Sequence, residues 1–111
     1  MAEATHDLDA VLARAAEWRD AGLGVALATV IRTWGSSPRP TGSKLAVNER
    51  AEFVGSVSGG CIEAAVIGEA LELLAGRRDA GVLAFGVSDA TAWEVGLACG
   101  GRVEVFIEAL T

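Results

Sequence analysis

Val25-Ala26-Leu27-Ala28-Thr29-Val30-Ile31 is apolar at nearly every successive position, and this run constrains the fold more than any other part of the chain. A strand with one wet face alternates apolar and polar residues. A run that is apolar on both faces and rich in β-branched residues needs cover on both sides, as a central strand has. The chain has 111 residues, 51% of them hydrophobic, which is the size of one domain with enough apolar surface to form a core without disulfide staples.

The neighbouring segments supply that cover. Residues 7–21 read as an amphipathic helix, with Leu8, Val11, Leu12, Ala15 and Trp18 on one face and Asp9, Arg14, Glu17 and Asp20 opposite. Gly22 and Gly24 end it. Residues 35–42 hold Pro38 and Pro40, which remove backbone donors and push Ser37 and Arg39 towards extended geometry, so this stretch is a loop. Residues 44–48 and 52–54 form short strands around a turn at 48–51. From Cys61 to Ala75 the period becomes helical, with Ile62, Val66, Ala70, Leu73 and Leu74 on the buried face and Gly76 as the C-terminal cap. Val82 to Phe85 is an apolar strand, and residues 88–96 are irregular. Arg102 to Leu110 alternates Val103, Val105, Ile107 and Ala109 with Arg102, Glu104, Phe106 and Glu108, so one of its faces meets water or a partner. The expected fold is α+β: one domain, a mixed sheet of about five strands and two helices packed on it, with residues 1–6 as a mobile tail.

Charge and composition exclude several functions. A net charge of −6 argues against a nucleic-acid or anionic-membrane surface, both of which need clustered lysine and arginine. It leaves room for a small anionic ligand, because screening acts over about 8 Å and a few local donors outweigh distant carboxylates. No apolar run approaches the ~20 residues of a membrane span, and Met1 to Asp9 do not resemble a signal peptide. The expectation is a soluble cytoplasmic protein. Its two cysteines then read as free thiols, with a Cys61–Cys99 disulfide as the alternative.

The chemistry concentrates at Gly55-Ser56-Val57-Ser58-Gly59-Gly60-Cys61-Ile62-Glu63, where a glycine-rich bend leads from a strand into a helix. Helix-start amides lack intrahelical partners, the helix dipole adds partial positive charge, and glycines admit a ligand close to the backbone. The competing structural reading is that Gly59 and Gly60 only permit a tight turn. A phosphate-binding P-loop is excluded because Cys61 and Ile62 follow Gly60 where lysine and a hydroxyl are required. A dinucleotide fingerprint is excluded because Gly22-Leu23-Gly24 precedes a strand instead of opening a helix. A helix N-terminus favours a thiolate by about 0.3–1 kcal/mol, too little to ionise an ordinary thiol near neutrality. Glu63 in the same turn opposes ionisation, or simply caps the helix. The single histidine, His6, lies in the N-terminal tail, which argues against a Cys–His nucleophile; two separated cysteines and one histidine also lack the spacing of a structural zinc site. Arg39, held between prolines, suits bidentate recognition of phosphate or carboxylate, against the reading of a solvated loop arginine. Lys44 adds charge near the same loop.

Three motifs taken in order resemble the N-terminal domain of the XdhC/CoxI family, accessory proteins for maturation of molybdenum hydroxylases. They are Gly35-Ser36-Ser37-Pro38-Arg39-Pro40-Thr41-Gly42-Ser43-Lys44, Gly55 to Ala64, and Gly96-Leu97-Ala98-Cys99-Gly100-Gly101-Arg102-Val103-Glu104. The resemblance runs from about Gly24 to Leu110. It implies a non-catalytic chaperone that binds molybdenum cofactor, a pterin dithiolene with a phosphate tail, as cargo. It further implies delivery to an apo-enzyme of the xanthine or carbon monoxide dehydrogenase type, with sulfuration assisted by a sulfur-donating desulfurase. The residues carried over as cofactor-binding are Ser37, Arg39, Ser58, Gly59, Gly60, Cys61, Glu63, Cys99, Gly100 and Gly101, with Cys61 and Cys99 as sulfur contacts and no metal held directly by the protein. Longer relatives continue into a C-terminal dinucleotide-binding-like domain; the expectation here is a single-domain member, or one whose second half is a separate polypeptide. Leu45 replaces a methionine common in relatives, and the turn after Asn48 lacks Asp-Gly; both read as packing and turn variations.

Two other readings compete: an interaction scaffold for molybdoenzyme assembly without cofactor binding, and a cysteine-dependent thiol enzyme. An exposed sheet edge in so small a chain also predicts a homodimer.

Overall fold

A computed structural model of the chain describes residues 8–34, 41–57, 62–85 and 102–110. The elements are α1 (Leu8–Asp20), β1 (Val25–Trp34), β2 (Lys44–Asn48), β3 (Phe53–Gly55), α2 (Glu63–Leu74), β4 (Gly81–Phe85) and β5 (Arg102–Leu110). β1 is the middle strand of a five-stranded sheet ordered β3-β2-β1-β5-β4, as its two-faced apolar sequence requires. Val25 and Leu27 pack beneath α1 with Val11, Ala15 and Ala46, and Trp18 half-buried beside them. Ala26, Ala28 and Val30 point the other way, into the larger core formed with Leu45, Val47, Val66, Ala70, Val105 and Ile107. Burial of each valine, leucine or isoleucine among these contributes about 1.5–3 kcal/mol. The α+β architecture of five strands between two helices is therefore present, with α1 on one face of the sheet and α2 on the other.

One part of the expectation is corrected. Among the described residues the sheet is not mixed: all four strand pairings there are antiparallel. The connection through α2 does make β4 run in the same direction as β3, but it delivers β4 to the opposite edge of the sheet. β5 then inserts between β1 and β4, so two strands that run alike are each paired to an antiparallel neighbour.

Local sequence explains most element boundaries. α2 stops at Gly76, whose φ of 78° lies in the left-handed region that costs a glycine nothing. There Gly76 N donates to Leu73 O (3.1 Å) and Arg77 N to Glu72 O (2.9 Å), satisfying carbonyls of the last turn. α1 closes with the same bond pattern, Gly22 N to Arg19 O and Leu23 N to Trp18 O, both 3.0 Å. Leu12 departs from its expected place: it lies one position round the helix from the Val11–Ala15–Trp18 stripe and is 40% exposed.

The β2–β3 turn has no Asp-Gly because Asn48 performs the turn chemistry. Its fully buried side chain accepts from Arg50 N (2.9 Å) and Glu52 N (3.1 Å) through Oδ1 and donates from Nδ2 to Glu52 Oε1 (2.7 Å). A bulge between Val30 and Arg32 shifts the long β1–β5 ladder and turns Ile31 outward, 42% exposed.

Candidate functional site at one end of the sheet

Strand polarity gathers the motif-bearing segments. In this antiparallel order β1, β3 and β4 run one way and β2 and β5 the other. The C-terminal ends of β1, β3 and β4 and the N-terminal ends of β2 and β5 therefore share one end of the sheet. Those five strand ends flank the segments 35–40, 58–61 and 86–101. The register confirms the proximity of the flanks: Trp34 is opposite Arg102, and Phe85 is opposite Val103. Of the expected site residues, Ser37, Arg39, Ser58, Gly59, Gly60, Cys61, Cys99, Gly100 and Gly101 lie outside the described residues; Glu63 lies within them.

The flanks themselves are firmly built. The β1–β2 ladder continues beyond Lys44, with Val30 N donating to Ser43 O (2.9 Å) and Gly42 N to Val30 O (2.8 Å). Lys44 Nζ donates to Thr29 Oγ1 at 2.9 Å, so its ammonium is tied to the directly opposite residue of β1. Gly55, at the end of β3, has φ of 96° and presses against β2. A Cβ there would collide with the Lys44 carbonyl oxygen and stand 2.9 Å from Val11 Cγ2. The close approach lets Ser56 N donate to that same carbonyl at 3.1 Å.

Glu63 closes the arrangement. Its Oε2 accepts from the Ser56 hydroxyl at 2.7 Å and from Val57 N at 3.0 Å. It does not form a capping box: Ile62 is the N-cap of α2 and makes no side-chain cap bond, while Glu63, the first helical residue, reaches backwards across segment 58–61. Val57 and Ile62, on either side of that segment, are both fully buried in the α2-side core. Sequence reasoning singled out Glu63 but missed Ser56 as its partner, because their seven-residue separation matches no capping template.

The opposite end of the sheet has different chemistry. A hollow of about 430 Å³ is lined by Gly24, Glu49, Leu71, Leu74, Ala75 and Arg77. Its polar groups are already engaged: Glu49 Oε1 accepts from Gly24 N at 2.6 Å, and Arg77 makes two 2.8 Å bonds to the Glu72 carboxylate. Hydrogen bonding within that pair holds the Glu72 carboxyl below its ordinary pKa and the Arg77 guanidinium above its own. Among the described residues, no group of three or more His, Cys, Asp or Glu side chains converges to hold a metal ion. No helix among them is long and apolar enough to cross a membrane.

Comparisons with known proteins agree with the motif pattern. The molybdenum cofactor insertion chaperone PaoD of Escherichia coli (strain K12) is 35% identical over 107 residues, which span 96% of this chain and 33% of that protein. A crystal structure of a xanthine dehydrogenase from Bacillus halodurans superposes with a TM-score of 0.72 at 24% identity, covering 90% of this chain and 30% of that one. At that identity the likeness shows the fold alone. The chain thus spans about a third of the length of both. The XdhC and CoxI family is matched over residues 18–86, a stretch that includes the Pro-Arg-Pro and first Cys motifs and joins them to the β1-to-β4 frame described above. On that match, this chain belongs to the XdhC and CoxI family.

Proposed function

We propose that the chain is a non-catalytic accessory protein that binds molybdenum cofactor as cargo and assists its sulfuration and insertion into a molybdenum hydroxylase of the xanthine or carbon monoxide dehydrogenase type. The observation that carries this reading is the shared end of the sheet: the strand ends flanking all three motifs lie together there. In this reading Arg39 and the amides of Gly59, Gly60 and Cys61 receive the phosphate, and Ser37, Ser58, Gly100 and Gly101 line the approach of the flat pterin. Cys61 and Cys99 offer soft sulfur near molybdenum. The name of the PaoD relative supports cofactor as cargo. The partners are an apo-molybdoenzyme and a sulfur-donating desulfurase, met in the cytoplasm, with a homodimer as the working assembly.

Anaerobic titration with molybdenum cofactor tests the reading. Saturable binding is expected. Arg39→Ala weakens it about tenfold or more, since charge-assisted hydrogen bonds are worth about 1.5–3 kcal/mol. Cys61→Ser weakens cofactor retention, and both variants melt like the wild type. Absence of saturable binding by a folded wild type overturns the proposal.

A scaffold role without cargo is the second reading, favoured by a specific surface. β4 is an edge strand with Val82 51% exposed, and Ile31 is exposed on the neighbouring part of the sheet. Co-purification with a molybdoenzyme subunit that is unaffected by Cys61→Ala or Arg39→Ala selects this reading.

A further inference from the structure

We infer that the half of the sheet left bare on the α1 side, centred on Phe106 and Val82, is the surface through which two copies of this chain pair. This surface serves the homodimer of the reading above, on which the inference rests. Alternation fixes which residues share that face. Leu27 and Ala46 pack beneath α1, so Thr29 and Lys44, each two positions away along its strand, lie on the same side. Leu110 also packs there, which places Phe106 and Glu108 of β5 on it. Leu83 and Phe85 enter the opposite core, which turns Val82 and Ala84 of β4 towards the α1 side. The register then sets Lys44, Thr29, Phe106 and Val82 in one row across β2, β1, β5 and β4. Helix α1 lies over β1, β2 and β3, and no described element lies over β4 and the middle of β5 on this face. Val82 is 51% exposed, Ala84 is exposed and Phe106 is half-buried.

Charge points to a second copy as the occupant. A net charge of −6 opposes self-association wherever acidic groups concentrate. This face is balanced instead: Glu104 and Glu108 flank Phe106 along β5, Arg32 stands opposite Glu104, and Lys44 ends the row. Lys44 is half-buried and its ammonium bonds to the neutral Thr29 hydroxyl at 2.9 Å. Among the described residues, neither Lys44 nor Glu108 makes an ion pair. One patch thus holds an unmatched base and an unmatched acid around an apolar centre, which is what an isologous contact requires. A two-fold axis near Phe106 sets Lys44 of each copy against Glu108 of the other and buries Phe106 and Val82 between them.

Sedimentation velocity on the full chain without cargo, over a range of concentrations, tests this, because the dimer fraction follows mass action. Wild type is expected to pass from one chain to two. Val82→Asp, at an exposed position, is expected to weaken self-association about tenfold or more, as are Lys44→Glu and Glu108→Lys, which each set like charges against one another across the axis. An equimolar mixture of Lys44→Glu and Glu108→Lys regains both opposite-charge pairs, so heterodimers are expected within about threefold of wild-type affinity. That restoration also shows that both variants are folded. Variants that are folded and monomeric but do not pair when mixed overturn the inference. A dimer that all three substitutions leave intact overturns it while the homodimer stands, paired by another surface. A wild type that is monomeric at every concentration overturns it and the homodimer together. If Val82→Asp then loses capture of a molybdoenzyme subunit, the face belongs to that enzyme.

Discussion

At the end of the sheet that carries the α1–β1, β2–β3 and α2–β4 connections, most polar groups find partners within a few residues. The helix caps at Gly22 and Gly76 use carbonyls of the preceding turn, Asn48 bonds to Arg50 and Glu52, and Arg77 folds back on Glu72. The reach of Glu49 to Gly24 is a long-range exception. At the opposite end the corresponding work is done between elements: Gly55 lies against the Lys44 carbonyl, Lys44 against Thr29, and Glu63 against Ser56 and Val57. One end closes its chain locally and consumes its polar groups in doing so. The other clamps the strand ends from a distance.

The largest expected effect tests whether the motif end depends on close approach. Gly55→Ala puts a Cβ into the Lys44 carbonyl at a positive φ, so nothing short of moving β3 relieves it. A loss of about 4 kcal/mol or more in urea unfolding is expected. A wild-type midpoint would show that the two ends do not differ in this way.

Asn48→Ala tests the local end. It leaves Arg50 N and Glu52 N without their side-chain acceptor and opens a cavity at a fully buried site, at a cost of about 2–3 kcal/mol. Because the damage is confined to the far turn, cofactor affinity of the folded fraction should not change. A parallel loss of affinity would mean that the ends are coupled through the sheet.

The smallest expected change runs in the stabilising direction. Ala51 has φ of 66°, a conformation that disfavours a side chain, so Ala51→Gly should gain about 0.5–1 kcal/mol by thermal or urea melt. A destabilised variant would show that the turn is held by the Asn48 bonds strongly enough to make the strain irrelevant.

Much of this comparison was legible in the chain because it rests on short-range patterns. The two-faced run from Val25 announced a covered central strand, the alternation of Val103, Val105 and Ile107 matched a one-sided core strand, and Gly22 and Gly76 marked the helix ends. Leu12 misled because a helical stripe read from periodicity is wider than the face that α1 actually buries. Ser56 went unread because its partner follows seven residues later, and no repeating period spans that distance.

By itself the sequence determined the identity and order of the elements, the three motifs and the family, since each depends on residues that are neighbours along the chain. The tertiary structure alone decided the antiparallel pairing, the insertion of β5 between β1 and β4, the outward turn of Ile31 and the bonds of Glu63 to Ser56 and Val57. It also decided that the flanks of all three motifs share one end of the sheet. Those features follow from which distant segments pair, a choice set by burying both faces of β1 at once and by satisfying its backbone on both edges.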